Sequence, residues 1–555
     1  MDSPAIACAV VEELLAGGVS DVVICPGSRS APLALALADA ERRGLVRLHV
    51  RIDERSGGYL ALGLARVGDR PVAIVTTSGT AAVNLHPAMV EAAYSGLPLI
   101  AVTADRPGSM RGTGANQTID QRDLYGVDAL TWIDLEGLAE PALRSAVASA
   151  LDVATGPHPG PVHLDVPLVE PLVEVGSHAI GDVERRARRG RQAPPGVSLA
   201  SLLPPGSDPG RGLLVAGDFD DAATRDAAAA LAVALGWPVI SEPTGNLTTH
   251  PHAMRHGPLI ARMMPSPDVV VTVGRVGLHR SVNAVLRGAR THLAVDVPPY
   301  QGRVDPLRTA AKVLDGVPRP DGISASSGWL EAWQAADAGA ASIIEGAEAF
   351  DGEVVAGPVA ARLVGEAAGP TDLLVIGPSW PVRHVSAFTG PLRARCIGNR
   401  GTSGIDGVVS SAWGAALAHG ERHPGSTTYA LLGDLTAIYD RNGLLAPATE
   451  PRPRLVYVVL DNDGGGIFSA LEQGSPDFAA DFERVFGTPH GAALDTLLGA
   501  PGVEVDTIAT PADLAEVLQR PADGVRVLVV RSPSRAEEAA ALASLQSSVE
   551  AALTT

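Results

Sequence analysis

Short apolar runs alternate with longer amphipathic stretches along most of the chain. Residues 21–25, 72–76 and 99–103 have the length and composition of buried strands, whereas residues 54–65 carry apolar side chains at helical spacing. We also expect one continuous helix from Thr80 to about Tyr94. Strands and helices that alternate in this way predict a parallel sheet with helices on both faces.

This alternation occurs in three segments, separated by stretches rich in proline, glycine and serine. We therefore predict an α/β fold with three doubly wound parallel-sheet domains, of which the first and third look like two copies of one type. The expected boundaries are a first domain over residues 1–178, a linker over 179–210, a smaller central Rossmann-like domain over 211–325, linking helices over 326–353 and a third domain over 354–555. A basic run at 185–191 is interpreted as solvated linker.

Two apolar runs of the third segment end abruptly at polar and glycine residues. Residues 429–432 precede Gly433-Asp434-Leu435-Thr436, and residues 455–460 precede Asp461-Asn462-Asp463-Gly464-Gly465. The 28 positions from Asp434 to Asn462 fit one crossover between parallel strands, which places both side chains at the carboxyl ends of neighbouring strands. Their oxygens suit a hard cation, Mg²⁺ in particular when a diphosphate completes its shell. A helix cap followed by an Asn-Asp-Gly turn is the alternative.

Polar residues also follow the predicted strands of the first segment. Ser28 and Arg29 lie between a strand and a helix, Arg106 follows a later strand, and Asn116 and Gln117 lie in the loop beyond it. Hydroxyl and guanidinium groups at a helix N-terminus suit a carboxylate or a phosphate. Ordinary helix caps with surface arginines explain each loop separately, but several such loops at one sheet edge favour a ligand site.

The segment Arg51-Ile52-Asp53-Glu54-Arg55 ends one predicted strand and begins an amphipathic helix. An acidic first turn is favoured by the helix dipole, so these carboxylates have a structural explanation. A carboxylate at a strand end, at the same edge as the arginine loops, is equally a candidate functional group.

Composition narrows the classes of function. The chain has 555 residues, is 46% hydrophobic and carries a formal net charge of −19. Such an acidic chain is a poor candidate for binding nucleic acid or an anionic membrane. Cys8, Cys25 and Cys396 are not spaced as metal ligands, and no leader or membrane span is recognisable. We therefore expect a cytoplasmic protein without disulfides.

The Gly433-Asp434 pair and the later Asn462 resemble the metal–diphosphate motif of thiamine-diphosphate (ThDP) enzymes. Leu435 and Asp461 depart from the general motif, but neither change removes a proposed metal ligand. In ThDP enzymes the cofactor bridges two domains of one type, usually across a subunit boundary. The resemblance implies that Glu54, in the first domain, hydrogen-bonds the aminopyrimidine ring of the cofactor and is the catalytic residue.

The chain resembles one family of ThDP enzymes more closely, the MenD family of SEPHCHC synthases in menaquinone biosynthesis. The resemblance rests on motifs in the same order along the chain: Pro26-Gly27-Ser28-Arg29-Ser30, Asp53-Glu54-Arg55, Thr77-Ser78-Gly79-Thr80-Ala81, Ala104-Asp105-Arg106-Pro107, Gly114-Ala115-Asn116-Gln117, Asn399-Arg400-Gly401, Gly404-Ile405-Asp406-Gly407, Gly433-Asp434-Leu435-Thr436 and Gly464-Gly465-Gly466-Ile467-Phe468. It implies a transferase that decarboxylates 2-oxoglutarate and adds the remaining unit to isochorismate. It also implies Mg²⁺ or Mn²⁺ as the metal and a homodimer or tetramer with sites between subunits.

The resemblance assigns three groups of residues. The metal ligands are Asp434, Asn462 and Gly464. The cofactor contacts are Glu54, Ser379, Ile405, Gly433, Asp434, Leu435, Thr436, Asn462, Gly464, Gly465 and Ile467. The substrate contacts are Ser28, Arg29, Arg106, Asn116, Gln117, His279, Arg280, Ser379, Arg383, Arg400, Ile467, Phe468 and Leu471, with Arg383 and Arg400 on the 2-oxoglutarate side.

Two other functions stay open at this point. One is another ThDP-dependent 2-oxo acid decarboxylase or carboligase, such as an acetolactate-synthase-like enzyme. The other is a non-catalytic ThDP-binding protein that shares the fold, because a fold alone does not determine a function. The many strand-end arginines favour two dianionic substrates, since guanidinium groups bind carboxylates through paired hydrogen bonds.

Overall fold

Three parallel β-sheets form the frame of the chain. The computed structural model describes residues 1–186, 196–297, 303–323, 325–347 and 353–554. Every strand pair within the three sheets is parallel, and α-helices lie between most consecutive strands. The predicted α/β fold with three doubly wound parallel-sheet domains is therefore confirmed. No helix in the described ranges combines the length and the apolar character that crossing a bilayer requires.

The first domain has a sheet of six strands in the order β2-β1-β3-β4-β6-β5. Its elements are α1 (Ser3–Ala16), β1 (Asp21–Ile24), α2 (Ala31–Arg42), β2 (Arg47–Val50), α3 (Glu54–Gly68), β3 (Val72–Thr76), α4 (Thr80–Val83), α5 (His86–Ser95), β4 (Leu99–Asp105), β5 (Trp132–Asp134), α6 (Glu140–Ala154) and β6 (Val162–Pro167). All residues of β1, β3, β4 and β6 are buried, as expected for strands covered on both faces.

The expected single helix from Thr80 to Tyr94 is wrong, because the structure has the two helices α4 and α5 in its place. Pro87 lies in the first turn of α5. A proline has no backbone N–H to donate to the preceding turn, so it begins a new helix more readily than it continues one.

The central domain has five strands in the order β11-β10-β9-β7-β8. Its elements are β7 (Gly212–Ala216), α7 (Ala222–Leu235), β8 (Val239–Ser241), α8 (Gly257–Ile260), β9 (Val269–Val273), α9 (Arg280–Gly288), β10 (Thr291–Val295), β11 (Lys312–Leu314) and α10 (Trp329–Glu345). Trp329 and Trp333 of α10 pack into the same core as Leu213 and Val215 of β7, so this helix belongs with the central sheet. Most of the basic run at 185–191 lies outside the described residues.

The third domain repeats the strand order of the first, β13-β12-β14-β15-β17-β16. Its elements are α11 (Gly357–Ala367), β12 (Leu373–Ile376), α12 (Trp380–Phe388), β13 (Arg395–Ile397), α13 (Val408–Arg422), β14 (Thr428–Gly433), α14 (Asp434–Tyr439), β15 (Leu455–Asp461), α15 (Ala479–Phe482), α16 (Leu494–Leu497), β16 (Val503–Ile508), α17 (Pro511–Leu518), β17 (Val525–Arg531) and α18 (Arg535–Thr554). The first and third domains are thus two copies of one topology.

Helices α3 and α13 hold these two domains together through glycines at their crossing. A Cβ atom on Gly63 would lie 2.0 Å from the carbonyl oxygen of Ser411, and one on Gly414 would lie 2.1 Å from that of Leu60. Backbone therefore packs directly on backbone. Around the crossing, apolar side chains of both helices share one continuous core.

We expect Gly63→Ala to separate α3 from α13 and to lower the thermal unfolding midpoint. The added methyl group has no room, and overpacking of this kind costs about 1–3 kcal/mol. Gly68→Ala is the matched control in the same helix, because a Cβ there has no atom within 4 Å. The midpoints are measured by calorimetry or circular dichroism. Equal midpoints for the two variants would contradict the proposed close contact.

Candidate functional site

The structure brings the two predicted metal ligands together at the edge of the third sheet. Strands β14 and β15 are parallel neighbours, with Gly433 paired to Leu460. Asp434 follows β14 directly and begins α14, while Asn462 follows β15. The predicted adjacency of the two strand ends is therefore present in the fold.

Asp434 is held in place by backbone N–H groups. Its Oδ1 accepts a hydrogen bond from Leu435 N at 2.6 Å, and its Oδ2 accepts hydrogen bonds from Gly464 N at 2.8 Å and Asn462 N at 3.2 Å. The residue is 2% exposed, and burial raises the pKa of its carboxyl group above the ordinary value. A buried carboxylate with this orientation needs a positive charge nearby to stay ionised at low cost.

The donor atoms at this position fit a hard cation with a diphosphate. Asn462 Oδ1 is buried and has no hydrogen-bond partner among the described residues. Such an unpaired oxygen beside a buried carboxylate is what a bound cation would satisfy. The turn is also tight enough to admit only glycine at one position: Gly464 has φ +131°, and a Cβ there would lie 2.1 Å from Gly487 O.

The structure adds His490 and Asp461 to this cluster, which sequence reasoning missed. His490 Nε2 lies 3.3 Å from Asp434 Oδ2 and 3.6 Å from Asp461 Oδ1, and the three side chains could together hold a metal ion. His490 comes from an irregular segment after α15, outside both motifs. No spacing rule connects it to them, so only the fold reveals the contact.

A cavity of about 440 Å³ opens beside Asp434. The predicted site residues that line it are Ser379, Arg383, Arg400, Ile405, Gly433, Asp434, Leu435, Thr436, Asn462, Gly464, Gly465, Ile467 and Phe468. Sequence reasoning missed Gly277, Trp380, His384, Ser403 and Glu538, which also line it. His384 and Glu538 form a buried pair with a distance of 3.2 Å from Nε2 to Oε1.

Arg383 and Arg400 give one side of this cavity a positive charge. Burial, and then the nearby Arg400 guanidinium, lower the pKa of Arg383. Arg383 Nη1 donates to the carbonyl oxygen of Ser379 at 2.8 Å, and Ser379 itself has φ +70° at the start of α12. Two guanidinium groups that repel each other are suited to bind a carboxylate between them.

His279, Arg280 and Leu471 lie outside the set of residues that line the cavity. Burial, followed by the charges of Arg383 and Arg400, lowers the pKa of His279 to about 3, so its imidazole is neutral at pH 7. Its Nε2 is buried without a hydrogen-bond partner among the described residues. Arg280 is exposed and pairs with Glu472, next to Leu471, with a distance of 2.8 Å from Nη1 to Oε1.

The predicted residues of the first domain form a separate group. Arg106 Nη1 donates to Ser78 Oγ at 2.9 Å, and Ser78 Oγ donates to Gln117 O at 2.8 Å. Arg29 is buried and donates to Leu168 O at 2.9 Å and to Glu170 Oε1 at 3.2 Å. The remaining members are exposed or half-buried, namely Ser28, Glu54, Asn116 and Gln117.

Within one chain, Glu54 and Asp434 are associated with opposite ends of α14. The residues on either side of Glu54 bond to the carboxyl end of this helix and beyond: Arg55 Nη2 donates to Tyr439 O, and Asn442 Nδ2 donates to Asp53 Oδ2, both at 2.9 Å. Asp434 begins the same helix. In the described part of the chain, all residues that line the cavity at Asp434 come from the central and third domains.

Comparison with known proteins shows which proteins the chain is similar to. Residues 5–124 match the family model described as "Thiamine pyrophosphate enzyme, N-terminal TPP binding domain". A curated protein of Thermobifida fusca is 42% identical over 99% of both chains, and one of Saccharopolyspora erythraea is 41% identical over 95% of both. A third, of Rhodococcus erythropolis, is 42% identical over 99% of both chains. All three are named 2-succinyl-5-enolpyruvyl-6-hydroxy-3-cyclohexene-1-carboxylate synthase.

We expect Asp434→Asn to weaken Mg²⁺-dependent binding of thiamine diphosphate by at least about tenfold, because a neutral amide replaces the anionic ligand. Isothermal titration with the cofactor, at several Mg²⁺ concentrations, measures the change. Asp477→Asn is a control at an exposed position of the same domain. An Asp434→Asn titration that matches the unmodified protein would exclude the metal role of this residue.

Proposed function

The chain belongs to the family of 2-succinyl-5-enolpyruvyl-6-hydroxy-3-cyclohexene-1-carboxylate (SEPHCHC) synthases, and from this membership we propose its reaction and the roles of its residues. The protein is a ThDP-dependent transferase of menaquinone biosynthesis. It decarboxylates 2-oxoglutarate and joins the remaining succinyl unit to isochorismate by 1,4-addition.

The observation that carries this function is the composition of the cavity beside Asp434. Its wall combines the predicted metal–diphosphate turn with Arg383 and Arg400. 2-Oxoglutarate has a second carboxylate that pyruvate lacks. A pair of arginines matches that extra charge, whereas an acetolactate-synthase-like enzyme acting on pyruvate has no need of it.

Thiamine diphosphate supplies, when bound, the carbanion chemistry by which a 2-oxo acid loses CO₂. We assign the metal to Asp434, Asn462 and the backbone of Gly464, with Mg²⁺ as the expected ion and Mn²⁺ as a replacement. The all-oxygen character of these ligands supports this choice. We assign Gly433, Leu435, Thr436 and Gly465, which line the cavity together with this turn, to the diphosphate.

The chain's own residues then have three tasks in the cavity. Arg383 and Arg400 bind and orient 2-oxoglutarate, with Ser379 beside them. Ile405, Ile467 and Phe468 also line the cavity, and their apolar side chains exclude water, which strengthens the charge interactions inside. Glu54, which does not line this cavity, would reach it from a second copy of the chain and hold a proton at the aminopyrimidine ring.

We assign isochorismate to the arginine loops of the first domain. Ser28, Arg29, Arg106, Asn116 and Gln117 are rich in hydrogen-bond donors, which suits a second dianion. We also assign Arg280, His279 and Leu471 to this substrate. The neutral state of His279 limits it to hydrogen bonding.

We propose that a second copy of the chain completes the site. The support is the separation of Glu54 from the Asp434 cavity within one chain, together with the matching topology of the first and third domains. In a homodimer or larger homo-oligomer, the first domain of one copy would face the third domain of another. Cys8, Cys25 and Cys396 are free thiols, which supports the reducing cytoplasm as its location.

The direct test of the function is an assay of CO₂ release with 2-oxoglutarate or pyruvate, each with and without isochorismate. We expect turnover with 2-oxoglutarate and isochorismate together, and a new product that contains both carbon skeletons by mass spectrometry. CO₂ release from pyruvate that exceeds release from 2-oxoglutarate would instead identify a different ThDP enzyme.

We expect Glu54→Gln to retain ThDP binding and to lose at least about 100-fold in kcat, because an amide cannot exchange a proton with the ring as a carboxylate does. Glu41→Gln is the control, since Glu41 is an exposed glutamate of the same domain. Both variants are compared by cofactor titration and by steady-state kinetics. Near-normal kcat in Glu54→Gln would refute the role of this glutamate.

A further inference from the structure

The loop between β4 and β5 carries Arg106, Asn116 and Gln117, which the proposed function assigns to isochorismate. Its only regular elements are 3₁₀ turns, at Gly108–Met110 and Gly126–Asp128, within the described chain. Its conformation must therefore come from side-chain anchors. One anchor is Ser78, which bonds to Arg106 through Oγ and accepts a hydrogen bond from Gln117 Nε2 at its carbonyl oxygen at 3.2 Å.

A second anchor is Arg111, in the middle of the loop. Its guanidinium bonds to three carboxylates at the carboxyl ends of three neighbouring strands. Nε donates to Asp105 Oδ2 at 2.8 Å, Nη1 to Asp134 Oδ2 at 2.7 Å and Nη2 to Asp165 Oδ2 at 3.1 Å. These aspartates lie on β4, β5 and β6, which are adjacent in the sheet.

The carboxylates around Arg111 are poorly compensated without it. Asp105 and Asp165 are 0% exposed, and Oδ1 of each is without a hydrogen-bond partner among the described residues. Burial, and then the charge of Asp105, raise the pKa of Asp165 to about 8. If the guanidinium left this cluster, the buried carboxyl groups would lose their positively charged hydrogen-bond donor. This energetic cost holds Arg111 in one position.

Backbone contacts next to Arg111 fix the loop relative to the arginine side chain. Arg111 N donates to Gly108 O at 3.1 Å, and Gly108 N donates to Glu136 Oε1 at 2.5 Å. Gly112 and Gly114 follow with φ of +71° and +79°, so the chain reverses directly after the anchored residue and returns to Asn116. The arginine thus determines where the loop turns.

Arg122 is also charged and lies in the same loop, but it does not attach the loop to the sheet. Its hydrogen bonds go to Asp120, two residues away, and its side chain is 69% exposed. The Arg122–Asp120 pair therefore connects two residues of the loop to each other. Arg111, which is 17% exposed, links the loop to the sheet.

We propose that Arg111 is a positioning residue for the second substrate: it fixes residues 106–117 on the sheet edge so that Arg106, Asn116 and Gln117 present their donors to the isochorismate carboxylates. This inference rests on the proposed function. Arg111 itself contacts no substrate. Its removal should affect the isochorismate step while leaving the 2-oxoglutarate pocket, which lies in the third domain, unchanged.

The test compares Arg111→Met with the matched control Arg122→Met, both loaded with ThDP and Mg²⁺. We expect Arg111→Met to raise the KM for isochorismate roughly tenfold or more, as loss of positioning does. The KM for 2-oxoglutarate and CO₂ release without isochorismate should stay within about twofold of the unmodified protein, and Arg122→Met should match it throughout.

Two milder variants keep the test decisive if Arg111→Met does not fold. Arg111→Lys retains the charge but not the planar fork of donors that reaches three strands, and Asp134→Asn removes one carboxylate that is 23% exposed. Each should raise the KM for isochorismate by a smaller factor in the same direction. An unchanged KM for isochorismate in the folded variants, or an equal rise in both KM values, would overturn the inference. Failure of the proposed function would differ, because the unmodified protein would then not consume isochorismate.

Discussion

The close crossing of α3 and α13 is the contact on which the arrangement of the two related domains depends. It requires glycine at Gly63 and Gly414, since a methyl group at either position would overlap the backbone of the other helix. Polar contacts reinforce it: Ser56 Oγ donates to the buried Asp440 at 3.0 Å, and Tyr59 OH donates to Asp406. Because Glu54 begins α3, this one crossing also decides where the proposed catalytic glutamate of each chain points.

The direction in which Glu54 points explains why the proposed site residues of one chain fall into two separate groups. In the chain itself, the start of α3 packs against the end of α14, while the cavity beside Asp434 is lined by the central and third domains. The half with Asp434, Arg383 and Arg400 offers a cation site and a positive pocket. The half with Glu54 and Arg106 offers a carboxylate and further donors. In the proposed oligomer, two copies of the chain together would supply both halves of each site.

Much of the site could be predicted because parallel strands bring their carboxyl ends to one edge. The spacing of Asp434 and Asn462 was sufficient to place them on neighbouring strands, whereas Arg383 and Arg400 were assigned through the family resemblance. Contacts that depend on three-dimensional packing could not be predicted. His490 reaches Asp434 from an irregular segment. The break before α5 is different, since Pro87 is visible in the sequence and favours the start of a new helix. Arg111 looks like an ordinary loop arginine until the sheet places three aspartates around it.

Whether one site takes Glu54 and Asp434 from different copies is the central claim, and mixed oligomers test it directly. Chains with Glu54→Gln and chains with Asp434→Asn, each carrying a different tag, are produced together, and the mixed dimers are purified through both tags. Each variant alone is expected to have little activity at a ThDP concentration that just saturates the wild-type protein, but a mixed dimer would contain one site with both residues intact. The account predicts about half of the wild-type activity per dimer. Activity no greater than that of the two separate variants would contradict it.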